Sequence, residues 1–341
     1  MKAWQLNRIT DLSTDFKPLA LADLPLPVPA GKEILIRVSC CGVCHTELDE
    51  IEGRVAAPSY PITPGHQVVG RVEKLGGDAT QFKIGDRVGV AWIGWACGQC
   101  DQCKAGLENL CNQFKATGRD LQGGYAECMA VNEHFSYAIP PVFSDVEAAP
   151  LLCAGAIGYR SLRLSGLDNH RPLGLMGFGA SAHIVLKLSQ YLYPDSPIVV
   201  FARSEEERSF AISLGARWAG KPDDTPPVRP LAIIDTTPSW NAMVCSLEHL
   251  EVGGRLVINA IRKESSDQNA LLTLHYPKHL WMEKEIKSVA NITRADVTQF
   301  LKIASEIPLL PEVQTYSFND ANKALLDLKH KHVKGAKVLV W

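Results

Sequence analysis

Four cysteines lie close together near the end of the first third of the chain, in the order C-x2-C-x2-C-x7-C. They are Cys97, Cys100, Cys103 and Cys111. Four thiolates at this spacing suit a tetrahedral zinc ion with no open coordination position, which is the arrangement of a structural zinc site. The alternatives are four free thiols or an iron–sulfur cluster, whose bacterial motif has a shorter last gap and usually a proline after the fourth cysteine. Asn112 follows here, so the spacing favours zinc.

A second group of metal-ligand residue types is spread over a longer stretch. Cys44 is followed directly by His45, and His66 lies downstream in TPGHQVVG. A catalytic zinc needs three protein ligands and one open position. Cys44, His66 and one further residue would meet that requirement, and Cys153 in APLLCAGAIGYRSL is a candidate. Because a neighbouring Cys–His pair alone is usually structural, this pattern indicates a catalytic metal site only together with a third ligand.

A glycine-rich turn in the second half of the chain could bind a phosphate-bearing cofactor. It follows a short apolar strand, opens a helical pattern of period 3.6 and is followed by a second buried strand in SPIVVFAR. This order is the context that a dinucleotide fingerprint requires, since the glycines let the pyrophosphate approach the helix N-terminus. The alternative is an ordinary glycine-rich turn. The candidate cofactor-binding residues of the turn are Gly177, Gly179, Ala180, Ser181 and Ala182.

The end of the second predicted strand indicates which nicotinamide cofactor binds. In NAD-specific chains an acidic residue closes this strand and binds the ribose hydroxyls. That position falls on Ala202 here, and Arg203 and Ser204 follow. A guanidinium can bind a 2′-phosphate through charge-assisted hydrogen bonds, so the sequence predicts NADP(H) in preference to NAD(H). The alternative is that Arg203 points to solvent and that residues 205–207, all glutamates, contact the ribose from the following helix.

The elements that must position these residues differ between the two halves of the chain. At 341 residues the chain is long enough for two domains. The first half has β-rich segments separated by Gly and Pro turns, in KEILIRVSCCGV, HQVVGRVEKLG and DRVGVAWIG, which are typical of an irregular barrel or sandwich. The second half alternates strand and helix patterns, with further strands in LAIID and GRLVINA. It predicts a parallel, doubly wound sheet.

The composition excludes several classes of partner. The chain is 46% hydrophobic and 21% charged with a net charge of −2, so it has no general attraction for nucleic acid or anionic membranes. The sequence has no apolar run long enough to span a bilayer, and its N-terminal residues lack the apolar core of a signal peptide. We therefore expect a cytoplasmic protein with no nucleic-acid or membrane partner, whose ten cysteines stay reduced.

Seven motifs together resemble one known family. They are CGVCHTEL, TPGHQVVGRV, GDRVGV, CGQCDQCKAGLENLC, GGYAEC, LLCAGAIGY and GFGASAH. Over essentially its whole length the chain resembles the zinc-dependent alcohol dehydrogenases of the medium-chain dehydrogenase/reductase superfamily. The resemblance implies an α/β fold with a GroES-like β-barrel catalytic domain over residues 1–153, an inserted Rossmann domain over 154–305 and a return to the catalytic domain over 306–341. It also implies a homodimer or homotetramer, with a small-molecule substrate bound in the cleft between the domains.

The resemblance assigns roles to single residues. The positions that match the catalytic zinc ligands are Cys44, His66 and Cys153, so two zinc ions per chain are expected. Thr46 matches the hydroxyl that hydrogen-bonds the substrate oxygen and begins a proton relay. Glu47 matches an acidic residue that orients the zinc-bound histidine. His45 matches a position beside the cofactor pyrophosphate. Trp92 resembles an aromatic residue that lines the substrate pocket, and its alternative is an ordinary core tryptophan.

Two positions depart from the commonest family pattern. Gln67 stands where many members carry a Glu after the zinc-bound His, and the missing negative charge should make the zinc slightly more electrophilic. Asp49 stands where many members carry a His that ends the proton relay. The reference pKa of an Asp is near 3.9, so it is less suited than a His to proton transfer at neutral pH. We therefore expect carbonyl reduction to outpace alcohol oxidation. The alternative is that Asp49 caps a helix or forms a salt bridge.

Three functions can be formulated from these features. The leading one is an enzyme that interconverts an alcohol and an aldehyde or ketone by hydride transfer with NADP(H), with zinc as a Lewis acid. A reductase of activated C=C double bonds, such as those of enones or enoyl thioesters, has the same fold, but members of that kind often lack the zinc ligands. A zinc-ribbon binding module without catalysis would explain only residues 97–111 and would leave the dinucleotide fold unused.

Overall fold

The computed structural model describes residues 1–307, 309–330 and 335–341. The chain divides into two units, one formed by Met1–Ala156 with Ile292–Trp341 and the other by Ile157–Asn291. The second unit is therefore inserted between two segments of the first. The chain returns to the first unit at Ile292, whereas the sequence predicts this return at residue 306. The difference arises because the helix over Arg294–Glu306 packs on the first unit. Phe300 of this helix is fully buried and lies against Gly155, where a Cβ atom would be 2.3 Å from its ring.

Seventeen strands and ten helices are formed by the described residues. The strands are β1 (Lys2–Leu6), β2 (Leu19–Asp23), β3 (Glu33–Val43), β4 (Val68–Leu75), β5 (Arg87–Val90), β6 (Ile93–Trp95), β7 (Lys115–Ala116), β8 (Cys128–Asn132), β9 (Ser136–Ala138), β10 (Leu173–Met176), β11 (Ile198–Phe201), β12 (Trp218–Gly220), β13 (Ala232–Asp235), β14 (Arg255–Ile258), β15 (Glu285–Ser288), β16 (Val313–Ser317) and β17 (Ala336–Val340). The helices are α1 (His45–Ile51), α2 (Asp101–Lys104), α3 (Asp145–Pro150), α4 (Ala156–Ser165), α5 (Ala180–Leu192), α6 (Glu205–Ser213), α7 (Trp240–His249), α8 (Tyr276–His279), α9 (Arg294–Glu306) and α10 (Ala321–His330). None of the described helices is long and apolar enough to span a bilayer.

The first unit is built on a seven-stranded sheet. Six strands follow the order β16-β17-β3-β4-β5-β9, and β8 also pairs with β3. All pairs are antiparallel except β16 with β17. The long strand β3 is buried over most of its length, since it pairs with three neighbours and is rich in β-branched residues. Its last residue, Val43, leads directly to the first candidate metal ligand.

A π-helix over Leu151–Gly155 joins α3 to α4. Ser144 is the N-cap of α3, and its side chain accepts a hydrogen bond from the backbone N–H of Glu147. The carboxylate of Glu147 in turn accepts from the backbone N–H of Ser144 at 2.8 Å, which completes a capping box. The wider turn of a π-helix, with its i→i+5 hydrogen bonds, changes the direction of the side chains that follow it, and such turns are frequent at functional sites.

The second unit contains a six-stranded parallel sheet. The strand order is β12-β11-β10-β13-β14-β15, and every neighbouring pair is parallel. This is the 3-2-1-4-5-6 order of the Rossmann fold. Strands β10, β11 and β13 are buried at every residue, as expected for a parallel sheet that is covered on both faces. The predicted doubly wound sheet is confirmed.

Candidate active site

One carboxylate holds two of the candidate metal ligands. Cys44 immediately precedes α1, and its backbone N–H donates to Oε2 of Glu47 at 2.7 Å. The other oxygen of Glu47, Oε1, lies 2.6 Å from Nδ1 of His66. Both Glu47 and His66 are fully buried. With Nδ1 directed at a carboxylate, the imidazole is fixed in orientation and its Nε2 is free to bind a metal.

The three candidate catalytic ligands converge on one point. The sulfur atoms of Cys44 and Cys153 and a ring nitrogen of His66 all lie within 4.8 Å of one another. His66 Nε2 is 3.2 Å from the Cys153 sulfur. Cys153 lies in the π-helix. Among the described residues, the group consists of these three ligands. Two sulfur donors and one nitrogen donor with a fourth position left over fit a catalytic zinc ion.

The two thiols of this group differ in their tendency to ionise. A hydrogen bond from Cys153 lowers the pKa of Cys44 well below its ordinary value, and the same interaction raises the pKa of Cys153. Burial opposes a positive charge on His66, but the nearby Glu47 carboxylate and the Cys44 sulfur raise its pKa above the usual value. The Cys44 sulfur is therefore the one of the two that ionises more readily, and binding of a metal ion by both sulfurs would require Cys153 to lose its proton as well.

The four-cysteine group is also assembled. The sulfur atoms within 4.8 Å of one another belong to Cys97, Cys100, Cys103 and Cys111. Hydrogen bonds from the backbone N–H groups of Gln99 and Cys100 lower the pKa of Cys97 to about 6. Desolvation raises the pKa of Cys103 to about 12. Four sulfur donors with no other ligand type in the group fit a closed structural zinc site.

Two more of the predicted residues lie at the start of α1, directly after Cys44. His45 is the exposed first residue of α1. Thr46 follows it, half-buried, with its hydroxyl 3.6 Å from the Cys44 sulfur, so it can reach a group bound at the candidate metal position.

Trp92 is half-buried. Its ring is 5.6 Å from that of Phe114, centroid to centroid, and the Arg119 guanidinium lies 5.5 Å from its centroid. The indole therefore keeps an accessible part and is not a fully buried core residue.

Asp49 is held in an ion pair. Its Oδ1 accepts from Nε of Arg54 at 2.6 Å, and its side chain is 5% exposed. Arg54 also donates to Glu52 at 2.6 Å. The salt bridge that was the alternative to a relay role is therefore present in the structure.

A buried acid beside the site is not singled out by any of the sequence motifs. Glu50 is 2% exposed, and its two carboxyl oxygens accept no hydrogen bond of normal geometry from the described residues. Burial raises the pKa of this carboxyl well above its usual value. The one signal in the sequence is its spacing, since Glu50 follows Thr46 by four residues and so lies on the same face of α1.

The glycine turn follows β10 directly. Gly177 has φ +83°, in the left-handed region that favours glycine, and a Cβ atom there would be 2.7 Å from the Thr237 side chain. Gly179 is the N-cap of α5, and a Cβ atom there would meet open space within 4 Å. Residues 180–182 form the first turn of this helix. Free space in front of the N-terminus of a long helix fits a pyrophosphate group.

The corner after β11 presents a basic residue. Ala202 is buried, Arg203 is exposed, and the Ser204 hydroxyl caps α6 by accepting from the backbone N–H of Glu207 at 3.1 Å. Arg208 donates to the backbone oxygens of Ala202 at 2.9 Å and of Arg203 at 2.7 Å. These bonds fix the backbone of the corner and leave the Arg203 side chain directed to solvent.

Comparisons with known proteins agree with this arrangement. Residues 30–141 match the model of the alcohol dehydrogenase GroES-like domain. The probable alcohol dehydrogenase AdhA of Mycobacterium tuberculosis is 40% identical over 345 residues, which cover 100% of this chain and 97% of that protein. A probable cinnamyl alcohol dehydrogenase of Populus deltoides is 34% identical over 317 residues, which cover 89% of this chain and 87% of that protein. A cobalt- and zinc-bound thermostable alcohol dehydrogenase from Pyrobaculum aerophilum, 23% identical, has the same fold with a TM-score of 0.87 over 100% of this chain and 99% of that chain.

Proposed function

Because the chain belongs to the zinc-dependent alcohol dehydrogenase family of the medium-chain dehydrogenase/reductase superfamily, we propose that it binds two zinc ions and interconverts an alcohol and an aldehyde or ketone with NADP(H), favouring reduction. The observation that carries this proposal is the convergence of Cys44, His66 and Cys153 within 4.8 Å. The oxidoreductase activity with alcohols and aldehydes follows from the family. The metal count, the cofactor preference and the direction are the proposed parts.

Each residue of the site has a separate role in the proposed reaction. Glu47 keeps a proton on Nδ1 of His66 and thereby leaves Nε2 as a ligand atom. Cys44, His66 and Cys153 would hold a zinc ion, which would supply a Lewis acid for the oxygen of the alcohol or carbonyl. The Thr46 hydroxyl hydrogen-bonds that oxygen and carries its proton. The turn at residues 177–182 would bind the dinucleotide, which would supply or accept the hydride, while the protein contributes position and electrostatics.

NADP(H) is the cofactor that the corner after β11 favours. Arg203 is exposed beside the N-terminus of α6, where its guanidinium can contact a 2′-phosphate through charge-assisted hydrogen bonds. Two of the three glutamates that could bind a ribose hydroxyl instead already accept hydrogen bonds from neighbouring residues. Glu205 accepts from Arg208 at 2.6 Å, and Glu207 accepts from the backbone N–H of Ser204 at 3.4 Å.

Metal content and a substrate panel test the proposal. Protein purified without chelator should contain two zinc ions per chain, and aldehydes or ketones should be reduced faster with NADPH than with NADH. One zinc per chain and no turnover would support the zinc-ribbon module instead. Reduction of enones at the C=C bond without carbonyl reduction would support the double-bond reductase.

The zinc–thiolate sites need reduced cysteines, which supports the cytoplasm as the proposed location.

The direction of catalysis can be tested at Asp49. Asp49→His should raise the rate of alcohol oxidation relative to carbonyl reduction or shift its pH profile, because an imidazole can accept a proton near neutral pH. The measurement is kcat in both directions from about pH 6 to about pH 9, which brackets the imidazole pKa. Asp49→Asn is the control, since it removes the carboxylate without adding a titratable group. If Asp49→His leaves both rates and their pH dependence unchanged, Asp49 only forms its ion pair with Arg54 and has no relay role.

We also propose that the protein is a homodimer or homotetramer. The outer edge of β15 has no partner strand among the described residues, and all four of its residues are exposed. Ile286 on this strand is 45% exposed, and the aromatic residues Tyr276 and Trp281 that shortly precede it are 59% and 55% exposed. Pairing of two such edges across a two-fold axis would satisfy the backbone and cover apolar surface.

Light scattering tests the assembly. The wild-type chain at micromolar concentration should have the mass of two or four chains, and Ile286→Lys should reduce that mass, because a charge in the interface opposes pairing. Ile84→Lys is the matched control, since Ile84 is 67% exposed and lies in the other unit. A wild-type protein with the mass of one chain would contradict the proposed homodimer or homotetramer.

A further inference from the structure

Glu108 links the loop of the four cysteines, residues 97–111, to the start of α9. One carboxylate oxygen, Oε1, accepts from the backbone N–H of Arg294 at 2.6 Å. The other oxygen, Oε2, accepts from Nε and Nη2 of the same arginine at 2.8 and 2.7 Å. Glu108 is 8% exposed. The Glu108 carboxylate thus accepts three hydrogen bonds from one residue, two of them from a guanidinium, and charge-assisted bonds of this kind are stronger than neutral ones.

This contact supports the first turn of α9, which also begins with a capping box between Thr293 and Asp296. Arg294 is its first residue, and the N–H groups of the first helical turn have no partner within the helix. Glu108 supplies one of them with a partner from the cysteine loop. The Arg294 guanidinium also lies 4.9 Å from the ring centroid of Phe135. The start of α9 is therefore held by its own capping box and, in addition, by the loop that carries the four thiols.

The same helix packs on the turn that carries Cys153. Phe300 of α9 is fully buried, and a Cβ atom at Gly155 would lie 2.3 Å from its Cε1 atom and 2.5 Å from its Cζ atom. Gly155 is the last residue of the π-helix. Since close-packed groups transmit displacements and leave no space to absorb them, a shift of α9 would move the backbone that positions Cys153.

We propose that Glu108 is a positioning residue for the catalytic metal site: through Arg294 and α9, the four-cysteine loop supports the π-helix that presents Cys153. The inference rests on the proposed function, in which both cysteine groups bind zinc. The zinc of the four-cysteine group would then do more than stabilise its own loop. An ordered loop at residues 97–111 would also slow the release of zinc from the catalytic site.

Zinc release from the fully loaded protein tests the proposal. A colorimetric chelator should remove zinc in two phases, and the phase of the catalytic site is identified by its absence in Cys44→Ser. Glu108→Ala should release the catalytic-site zinc about tenfold faster, the lower end of the loss seen when the support of a metal ligand is removed. Arg294→Lys keeps the positive charge but cannot donate two guanidinium hydrogen bonds to Glu108, so it should give an intermediate rate of zinc release. Hydrogen exchange of the peptide around Cys153 should be faster in both variants.

The control is Glu73→Ala, which breaks the Arg37–Glu73 ion pair of 2.9 Å in the same unit and should leave both phases unchanged. If Glu108→Ala accelerates only the release of the four-cysteine zinc, or neither phase, the proposal is wrong. If Glu108→Ala does not fold, Arg294→Lys decides by the same criterion. A wild-type protein with fewer than two zinc ions would instead contradict the proposed function.

Discussion

Replacing His66 by alanine should abolish turnover while the fold and one zinc ion per chain remain. The substitution removes the nitrogen donor between Cys44 and Cys153 and leaves the Glu47 carboxylate buried without its 2.6 Å partner. Two sulfur ligands are too few for a catalytic zinc site. Because a Lewis-acid metal supplies several kcal/mol of transition-state stabilisation, the loss of kcat should be at least about a thousandfold. Cys44→Ser should have a similar effect on turnover.

Metal analysis, circular dichroism and steady-state rates on one preparation check this result. His134→Ala is the matched control, because His134 is a histidine of the same unit that contacts Lys32 and Gln81 and not the converging ligands. Cys100→Ser provides the contrast: it should lower stability or yield, since a structural zinc site contributes directly to folding. Turnover by His66→Ala within tenfold of wild type would show that the three converging residues do not hold the catalytic metal.

Replacing Arg203 by alanine should raise the Michaelis constant for NADPH by about ten- to a hundredfold and leave that for NADH nearly unchanged. The physical reason is the loss of a charge-assisted hydrogen bond to the 2′-phosphate, which is worth about 1.5–3 kcal/mol. NADH has no 2′-phosphate, so it gains nothing from the guanidinium. Since Arg208 holds the backbone of the corner through Ala202 and Arg203, the truncation should not displace the neighbouring residues.

The measurement is a pair of saturation curves, one for each reduced cofactor, at constant ionic strength. Arg171→Ala is the matched control, because Arg171 is also an exposed arginine of the second unit but precedes β10 at the amino ends of the parallel strands. Equal losses with both cofactors, or a wild-type protein that works better with NADH, would rule out the phosphate contact. Either result would also favour the glutamates of α6 as the ribose ligands.

The sequence alone was sufficient for those parts of the site that depend on local spacing. The four cysteines at 97–111 lie within one short loop, so their spacing limits the geometry that they can adopt. The glycine turn was equally local, because the strand before it and the helix after it are contiguous in the chain. For Cys153 the residues offered only a candidate, and its placement as a ligand came from resemblance, since contact with His66 depends on a chain separation of 87 residues.

The features that the sequence did not predict depend on tertiary contacts. The π-helix at Leu151–Gly155 has no periodic signature that distinguishes it from the helices on either side. The return of the chain at Ile292 follows from packing of Phe300 on Gly155 and from the pairing of Arg294 with Glu108. The burial of Glu50 is similarly a result of tertiary packing, because an acid in a helix is usually solvated.

The insertion of one unit into the other has a consequence for synthesis on the ribosome. The second unit is continuous and can fold as soon as residues 157–291 have emerged, whereas the sheet of the first unit waits for β17. Strand β17 pairs with β3 from Val43 to Cys40, beside the segment that leads to Cys44. Until residues 336–340 are made, that edge of β3 remains unpaired on the nascent chain, and a truncated product would present it to other chains as a template for aggregation.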